Sequence, residues 1–406
     1  MNALMITWKH ITSKKLSSFL SILLIAFGSA ILCVLLLAAA QISSKLDRNA
    51  KDIDLVVGAK GSPLQLILSS IYYIDFPTGN IPLIEAQKIM SSPFVKRAVP
   101  LALGDNYNGT RIVGTDTNFI ALYDLSLQKG QFWKEDFQTT IGADVAEVNQ
   151  LKIGDSFYGA HGLTGSSDVH KAHAYKVVGI LKKQDNVTDN LIMTNVASVW
   201  KMHDPKDEEK QKEPHSTVEK KTPEIQDREL TSILIQYRSP MSVVMFPRMV
   251  NATTNMQSAS PAMESTRLFS LIGVGIDTLQ WFAGLIMAIA GISVFVNLYN
   301  SLKERSYDLA IMRVLGASRA KLFLIVISEG IILTLIGTTL GIALGHAVVE
   351  LIGHFQDNGQ AKLTGLIMIS GEYKLLIIGL IIGIIASLIP SFQAYRSNIS
   401  STLAKN

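Results

Sequence analysis

A chain of 406 residues with 48% hydrophobic and 17% charged residues falls well below the roughly 25% charge of ordinary soluble domains. Its net charge of +4 is modest, and the basic residues sit beside apolar runs, a pattern that speaks for membrane topology and against nucleic-acid binding. The one cysteine, Cys33, lies inside the first apolar run, which excludes an internal disulfide framework and a cysteine-based metal site.

Residues 1–15 carry Leu4, Trp8 and Ile11 at helical spacing, followed by Lys14 and Lys15. They read as a short interfacial helix on the cytoplasmic side. The apolar run over 16–40 exceeds the about 7–15 residues of a signal-peptide core and reads as an uncleaved first span. Residues 41–53 contain no Gly or Pro, so the helix is expected to continue as a polar stalk.

From 54 to 260, strand-like and helix-like pieces alternate. Asp54–Gly58, Thr110–Gly114, Ala174–Leu181 and Ser232–Tyr237 read as strands, and Pro82–Met90 and Pro247–Met256 as helices. The mixture predicts an α+β domain. Residues 201–229 hold almost no apolar side chains and read as a mobile insertion. Ser260 and Pro261, with Glu264 in the first turn, have the form of a helix start. That helix supplies a second stalk (261–278) and a second span (279–299), with Trp281 at the membrane boundary.

Residues 300–321 are polar and rich in Lys303, Arg305, Arg313, Arg319 and Lys321, the signature of a cytoplasmic loop. Within them Tyr307, Ala310, Ile311, Val314 and Leu315 recur at helical spacing, and Gly316 follows, predicting an amphipathic helix stopped by a glycine cap. Such a helix lies on the bilayer or plugs into a soluble partner. Span 3 (322–352) carries Gly337, Gly341 and Gly345, and span 4 (374–390) carries Gly379 and Gly383; small residues four apart predict close helix packing. Pro390 is expected to end or kink span 4. Residues 353–373 form a short outer loop and 391–406 a cytoplasmic tail. The expected fold class is a membrane protein of four transmembrane α-helices, with a large α+β extracytoplasmic domain inserted between helices 1 and 2 and both termini cytoplasmic.

Chemistry is sparse. Gly58-Ala59-Lys60-Gly61-Ser62 has the residue types of a phosphate-binding loop but not its spacing, and no nucleophile elbow or H-E-x-x-H helix occurs. No catalytic residue is assigned. His170 and His173 are three apart, as metal ligands on one helical face would be. Without a cysteine or acidic cluster to complete a site they read as a solvated loop, and no metal ligand set is assigned. His346, Glu350 and His354 recur every four residues at the outer end of span 3; the spacing suits a metal or proton site, but they read rather as interfacial polar residues facing water or other helices. Glu329, about two turns into span 3, either faces protein or snorkels to the nearby interface.

In the central loop, Glu304-Arg305, Ala310, Arg313, Gly316-Ala317-Ser318 and Leu322, with Glu329 beyond, resemble the loop signature of the permease subunits of MacB-type ABC transporters, a family that includes the LolC/LolE and FtsX groups. Lys14-Lys15-Leu16-Ser17-Ser18 with Gly28, and Ser387-Leu388-Ile389-Pro390 with Ala394 and Arg396, resemble its entry to span 1 and exit from span 4. In the outer domain, Gly130-Gln131-Phe132, Ile141-Gly142, Leu151-Lys152-Ile153-Gly154-Asp155 and Val177-Val178-Gly179-Ile180 follow its order.

The resemblance implies a bacterial inner-membrane permease that transmits ATPase motion through stalk helices to a periplasmic domain, for export or for extraction of a lipoprotein or other substrate. It implies two copies of a separate ABC ATPase and a second permease subunit, in a homo- or heterodimer, with a periplasmic adaptor or lipoprotein as a further partner class. ATP and Mg belong to the ATPase; no cofactor is assigned to this chain, and no enzymatic activity. Glu304, Arg305, Asp308, Ile311, Met312, Arg313, Leu315, Gly316 and Ala317 are the residues expected to couple to the ATPase. Two alternatives stand: an FtsX-like subunit that activates a periplasmic partner such as a cell-wall hydrolase without transport, and metal-linked transport or sensing through the histidine-containing outer loop.

Overall fold

The computed structural model describes residues 3–161, 173–203, 228–355 and 363–396. The chain forms two units, Met1–Ile42 with Ile272–Asn406, and Ser43–Leu271. Helix α1 (Ala3–Ser13) is followed after Lys14 by α2 (Lys15–Asn49). The final turns of α2 belong to the second unit, where the Asn49 side chain accepts from the Val187 amide at 2.8 Å and Tyr123 Oη donates to the Asn49 carbonyl at 3.3 Å.

The second unit is built on β1 (Leu55–Ala59), α3 (Pro63–Ser70), β2 (Ile81–Pro82), α4 (Leu83–Met90), β3 (Val95–Tyr107), β4 (Thr110–Thr115), α5 (Thr117–Leu122), β5 (Leu127–Gly130), β6 (Gln138–Ile141) and α6 (Ala143–Val148). It continues through β7 (Ser156–Phe157), β8 (Ala160–His161), β9 (Tyr175–Leu181), β10 (Ile192–Asn195), α7 (Val196–Met202), β11 (Glu229–Leu230), β12 (Ser232–Tyr237), α8 (Pro240–Thr253) and β13 (Met256–Ala259). The main sheet runs β13-β1-β12-β3-β4-β10-β6-β9-β5, with β7 on β9 and β8 on β3, and β2 pairs β11 separately. Its pairs are antiparallel except β4–β10 and β6–β9.

Side chains alternate across this sheet, as a pleat requires. Val56, Val99, Leu101, Leu103, Val113, Met193 and Leu234 enter one core with Leu66, Ile67 and Phe119. Leu55, Val57, Ile233 and Ile235 enter a second with Phe246 and Val250. Ile112, Ile141, Val177 and Ile192 enter a third with Phe157 and Tyr175. Both faces are covered, which is why Leu55-Val56-Val57 and Ile233-Leu234-Ile235 are continuous apolar runs.

Several expected boundaries move. The helix expected from Pro247 begins at Pro240 and holds Pro247 in its interior; its buried face is Ser242, Phe246 and Val250, spaced by four, and this burial outweighs the lost proline N–H. The expected insertion loses both edges to structure. Lys201 and Met202 finish α7, and Glu229 opens β11, where Trp200 Nε1 donates to the Glu229 carbonyl at 2.6 Å and Arg228 stacks on the Trp200 ring. Residues 204–227 and His170 lie outside the described residues.

Helix α9 (Pro261–Glu304) is unbroken by Gly273 and Gly275. Its 44 residues reach about 66 Å, against a hydrocarbon core of about 30 Å. Its first turns belong to the second unit, where Tyr72 Oη lies 3.0 Å from Ser265 Oγ. Beyond it come α10 (Ser306–Val314), α11 (Arg319–Phe355) and α12 (Glu372–Arg396). Pro390 sits inside α12 without ending it. Four helices, α2, α9, α11 and α12, are long and apolar enough to cross a membrane, in keeping with the expected class of four spans and an inserted mixed α/β domain.

In the first unit, glycines set how closely the helices approach. A Cβ on Gly337 would stand 3.0 Å from the Ile22 carbonyl oxygen, and one on Gly341 2.5 Å from that of Ala26; Gly345 faces Cys33. One glycine row on α11 therefore lies along α2. On the other side, Gly379 and Gly383 of α12 face Thr338 and Thr334, and Gly330 faces Ser387. Buried hydroxyls turn back onto their own helices: Ser29 donates to the Ile25 carbonyl at 2.7 Å, Thr334 to that of Ile331 at 3.1 Å and Ser387 to that of Gly383 at 2.6 Å.

Candidate functional site

The residues singled out in the central loop fall on and around α10. Gly316 adopts φ +95°, its N–H donates to the Arg313 carbonyl at 3.1 Å, and the Ala317 N–H reaches back to that of Met312 at 3.0 Å. These two bonds are the Schellman cap that a positive-φ glycine permits, so Gly316 and Ala317 have a definite local role. Leu309 and Ala310 are buried. Leu309 packs with Leu322, Val326 and Ala394, and Leu302 and Met312 close over them.

This places Ala310 and Met312 on the inner side of α10, away from the surface expected of them. The outer side carries a different apolar row: Tyr307, Ile311, Val314 and Leu315, the last 80% exposed. These positions follow i, i+4, i+7 and i+8, so one helix presents two apolar faces, one packed and one bare. Asp308 is also exposed, and Arg313 is half-buried.

Glu304 and Arg305 turn toward α1. Glu304 forms an ion pair with Lys14. Arg305 donates to the His10 carbonyl and to Ser13 Oγ, each at 3.2 Å, and its guanidinium lies 3.8 Å from the Glu329 carboxylate. Glu329 is 7% exposed and lines a small enclosure with His10, Leu298, Ser301, Leu302 and Arg305. It therefore faces protein. Thr7 Oγ1, 3.0 Å from Ser328 Oγ, holds α1 on α11 beside it. Lys14 and His10 had no sequence signal for this contact, which joins positions about 300 residues apart.

Two consequences follow. Arg305→Ala strands the Glu329 carboxylate in a buried site, and the expected cost is about 3 kcal/mol. The measurement is the thermal midpoint of the purified protein, and Arg305→Ala/Glu329→Gln should recover part of the loss. His10 is pushed down to about 4, first by burial and then by Arg305, so it is neutral in the folded protein near pH 7. Because the unfolded chain takes up this proton at higher pH, stability is fully present above about pH 6.5 and falls as pH drops toward 4. The His10→Gln protein should show a flatter dependence of its midpoint on pH across this window.

Most of the other candidates have structural partners, while His354 is exposed beside the Phe355 ring. Glu350 accepts from Thr364 Oγ1 at 2.9 Å and from the Gly365 amide at 2.8 Å, and His346 Nε2 lies 3.2 Å from Glu372. Gln41 clasps Thr364 through both its amide atoms, at 2.7 and 2.9 Å. These groups fasten the loop before α12. Ser62, in the glycine-lysine stretch, caps α3. His173 stacks on Phe137. Among the described residues one group has metal-ligand donors gathered together: Asp105, His161 and His203.

The profile of the MacB-like periplasmic core domain matches residues 18–246, and that of the FtsX-like permease C-terminal region matches residues 281–399. The first alone covers more than half of the chain. The chain belongs to the MacB/FtsX-type permease family. No curated protein sequence matches it. Among solved structures, this MacB/FtsX-type permease is similar to the periplasmic region of MacB from Actinobacillus actinomycetemcomitans. That match has 9% identity and a TM-score of 0.33, and covers 55% of this chain and 97% of the other. It is also similar to the extracellular domain of the noncanonic ABC-type transporter YknZ from Gram-positive bacteria, at 12% identity and a TM-score of 0.30, covering 51% and 99%. Membership makes the chain an ABC transporter permease, a multi-pass membrane protein with an extracellular domain, in a family whose ATPase activity lies in a separate subunit.

Proposed function

We propose that this permease converts ATP-driven motion of a separate ATPase into movement of its extracellular domain, with no polar substrate passing between its own spans. The observation that carries this reading is that α2 and α9 each continue beyond membrane length into the body of that domain, where Asn49 and Ser265 are bonded into it. A helix satisfies its own backbone bonds and moves as a rigid element without refolding. A polar pathway needs polar groups along its depth. Among the described residues, the Ser29, Thr334 and Ser387 hydroxyls bond their own helices, Thr338 and Ser391 are single buried hydroxyls, and Glu329, His346 and Glu350 lie toward the ends.

In this reading the basic residues beside α10 keep it on the cytoplasmic side of a bacterial inner membrane, and the bare row from Tyr307 to Leu315 takes the ATPase. Two ATPases and a second permease subunit complete the assembly. Ser270→Pro removes one α9 hydrogen bond in an exposed turn and kinks the helix. It should leave the ATPase bound while abolishing the nucleotide-dependent change in hydrogen exchange over residues 55–259. A response that survives the proline contradicts transmission through α9.

A further inference from the structure

We infer that Asp105, His161 and His203 form a binding site for a divalent transition-metal ion of the zinc class in the extracellular domain. The three come from separate elements. Asp105 lies in β3 where the pairing with β4 shifts register, and stands directly opposite His161 of β8 across an antiparallel pair. His203 follows the last turn of α7, against Gly104 of β3, where a Cβ would stand 3.4 Å from the His203 ring.

The two distances to Asp105 are those of ligands sharing an ion. His161 Nδ1 lies 3.5 Å and His203 Nε2 lies 3.3 Å from Asp105 Oδ1, and one donor atom from each residue falls within 4.8 Å of the others. Two ligands each about 2.0–2.1 Å from a tetrahedral zinc ion stand about 3.3–3.4 Å apart. Asp105 is 1% exposed, whereas both histidines reach solvent, so an ion has a way in.

The hydrogen bond of His203 strengthens the case. Its Nδ1 lies 2.9 Å from the Val199 carbonyl oxygen, which only accepts, so Nδ1 carries the hydrogen. This is the outer-shell bond that commonly orients a metal-ligating imidazole. His203 Nε2 is thereby turned toward the Asp105 carboxylate, on the side where an ion would sit. Two imidazoles and one carboxylate suit Zn²⁺ better than Ca²⁺ or Mg²⁺, which prefer all-oxygen shells, or Cu(I), which prefers sulfur. Three protein donors leave a fourth position for solvent. The ion would join the β3–β8 pair to the end of α7. The competing account is an ordinary ion pair with doubly protonated His203, which binds no metal.

The test uses the full-length permease in detergent, stripped with chelator and titrated with zinc chloride by calorimetry. The expected result is one ion per chain at micromolar affinity or better, weakened more than about 100-fold in His161→Ala/His203→Ala. Co²⁺ should give the visible absorption of a tetrahedral site in the wild type and none in the double variant. Three results overturn the inference: no zinc binding tighter than millimolar, a double variant that binds as the wild type does, or loss of binding only in His170→Ala/His173→Ala. Should the double variant misfold, Asp105→Asn and the wild-type Co²⁺ spectrum decide, and an octahedral spectrum or one unchanged by Asp105→Asn counts against the site.

Discussion

Leu315→Asp is expected to leave the permease folded and to strip it of its ATPase. Leu315 is 80% exposed in the chain by itself, so the substitution removes no internal packing. In the proposed assembly it would bury an unpaired carboxylate at the end of the apolar row formed with Tyr307, Ile311 and Val314. A hot-spot loss of about 2–4 kcal/mol weakens association on the order of 30- to 1000-fold. An unchanged thermal midpoint reads the first half of this expectation, and loss of the ATPase from the tagged permease on co-purification reads the second. Met312→Asp should do the reverse, unfolding the α10 cap region, because Met312 packs on the inner cluster with Leu309 and Leu322. Undiminished co-purification of the Leu315→Asp protein would remove this face from the ATPase interface.

Gly341→Leu is expected to break the first unit itself. A Cβ there would lie 2.5 Å from the Ala26 carbonyl oxygen and 2.5 Å from the Ser29 Cβ. Backbone cannot swing aside as a long side chain does, so α2 and α11 must separate, costing about 3 kcal/mol or more. The protein should be lost from the membrane fraction or migrate as aggregate in size-exclusion chromatography. Gly284→Leu is the control, since a Cβ at Gly284 meets nothing within 4 Å in this chain. Equal yield and monodispersity of the two variants would contradict the packing described for α11.

The spans were legible because about 20 apolar residues in a row leave few other readings, and β12 was legible because Ser232–Tyr237 is a short apolar run with β-branched residues. Strand β3 was not. Pro100 interrupts it, and Gly104-Asp105-Asn106 gives its far end the look of a loop. The signal that was available is Asn108-Gly109, whose residues take φ 48° and 80°, the two-residue turn that joins β3 to β4. Missing β3 hid the donor cluster, because Asp105, His161 and His203 have no common spacing and meet only through the β3–β8 register and the end of α7. The face of α10 was half legible. Periodicity showed apolar residues on it, but the division between Leu309 and Ala310 inside and Ile311 and Val314 outside depends on α11 and α12. The charges at Glu304 and Arg305 read as a docking surface, and only the fold turns them toward Lys14 and Glu329.

The most direct test of transmission is a distance measured between the two units as nucleotide binds. Spin labels at Val148 of the extracellular domain and Leu366 of the loop before α12, both exposed, report it by pulsed electron resonance in the reconstituted complex with the ATPase. The expected result is a shift of the distance distribution by several ångströms on adding a non-hydrolysable ATP analogue, absent from the Leu315→Asp protein. A distribution that stays fixed in the wild-type complex while ATP is bound and hydrolysed would contradict the account.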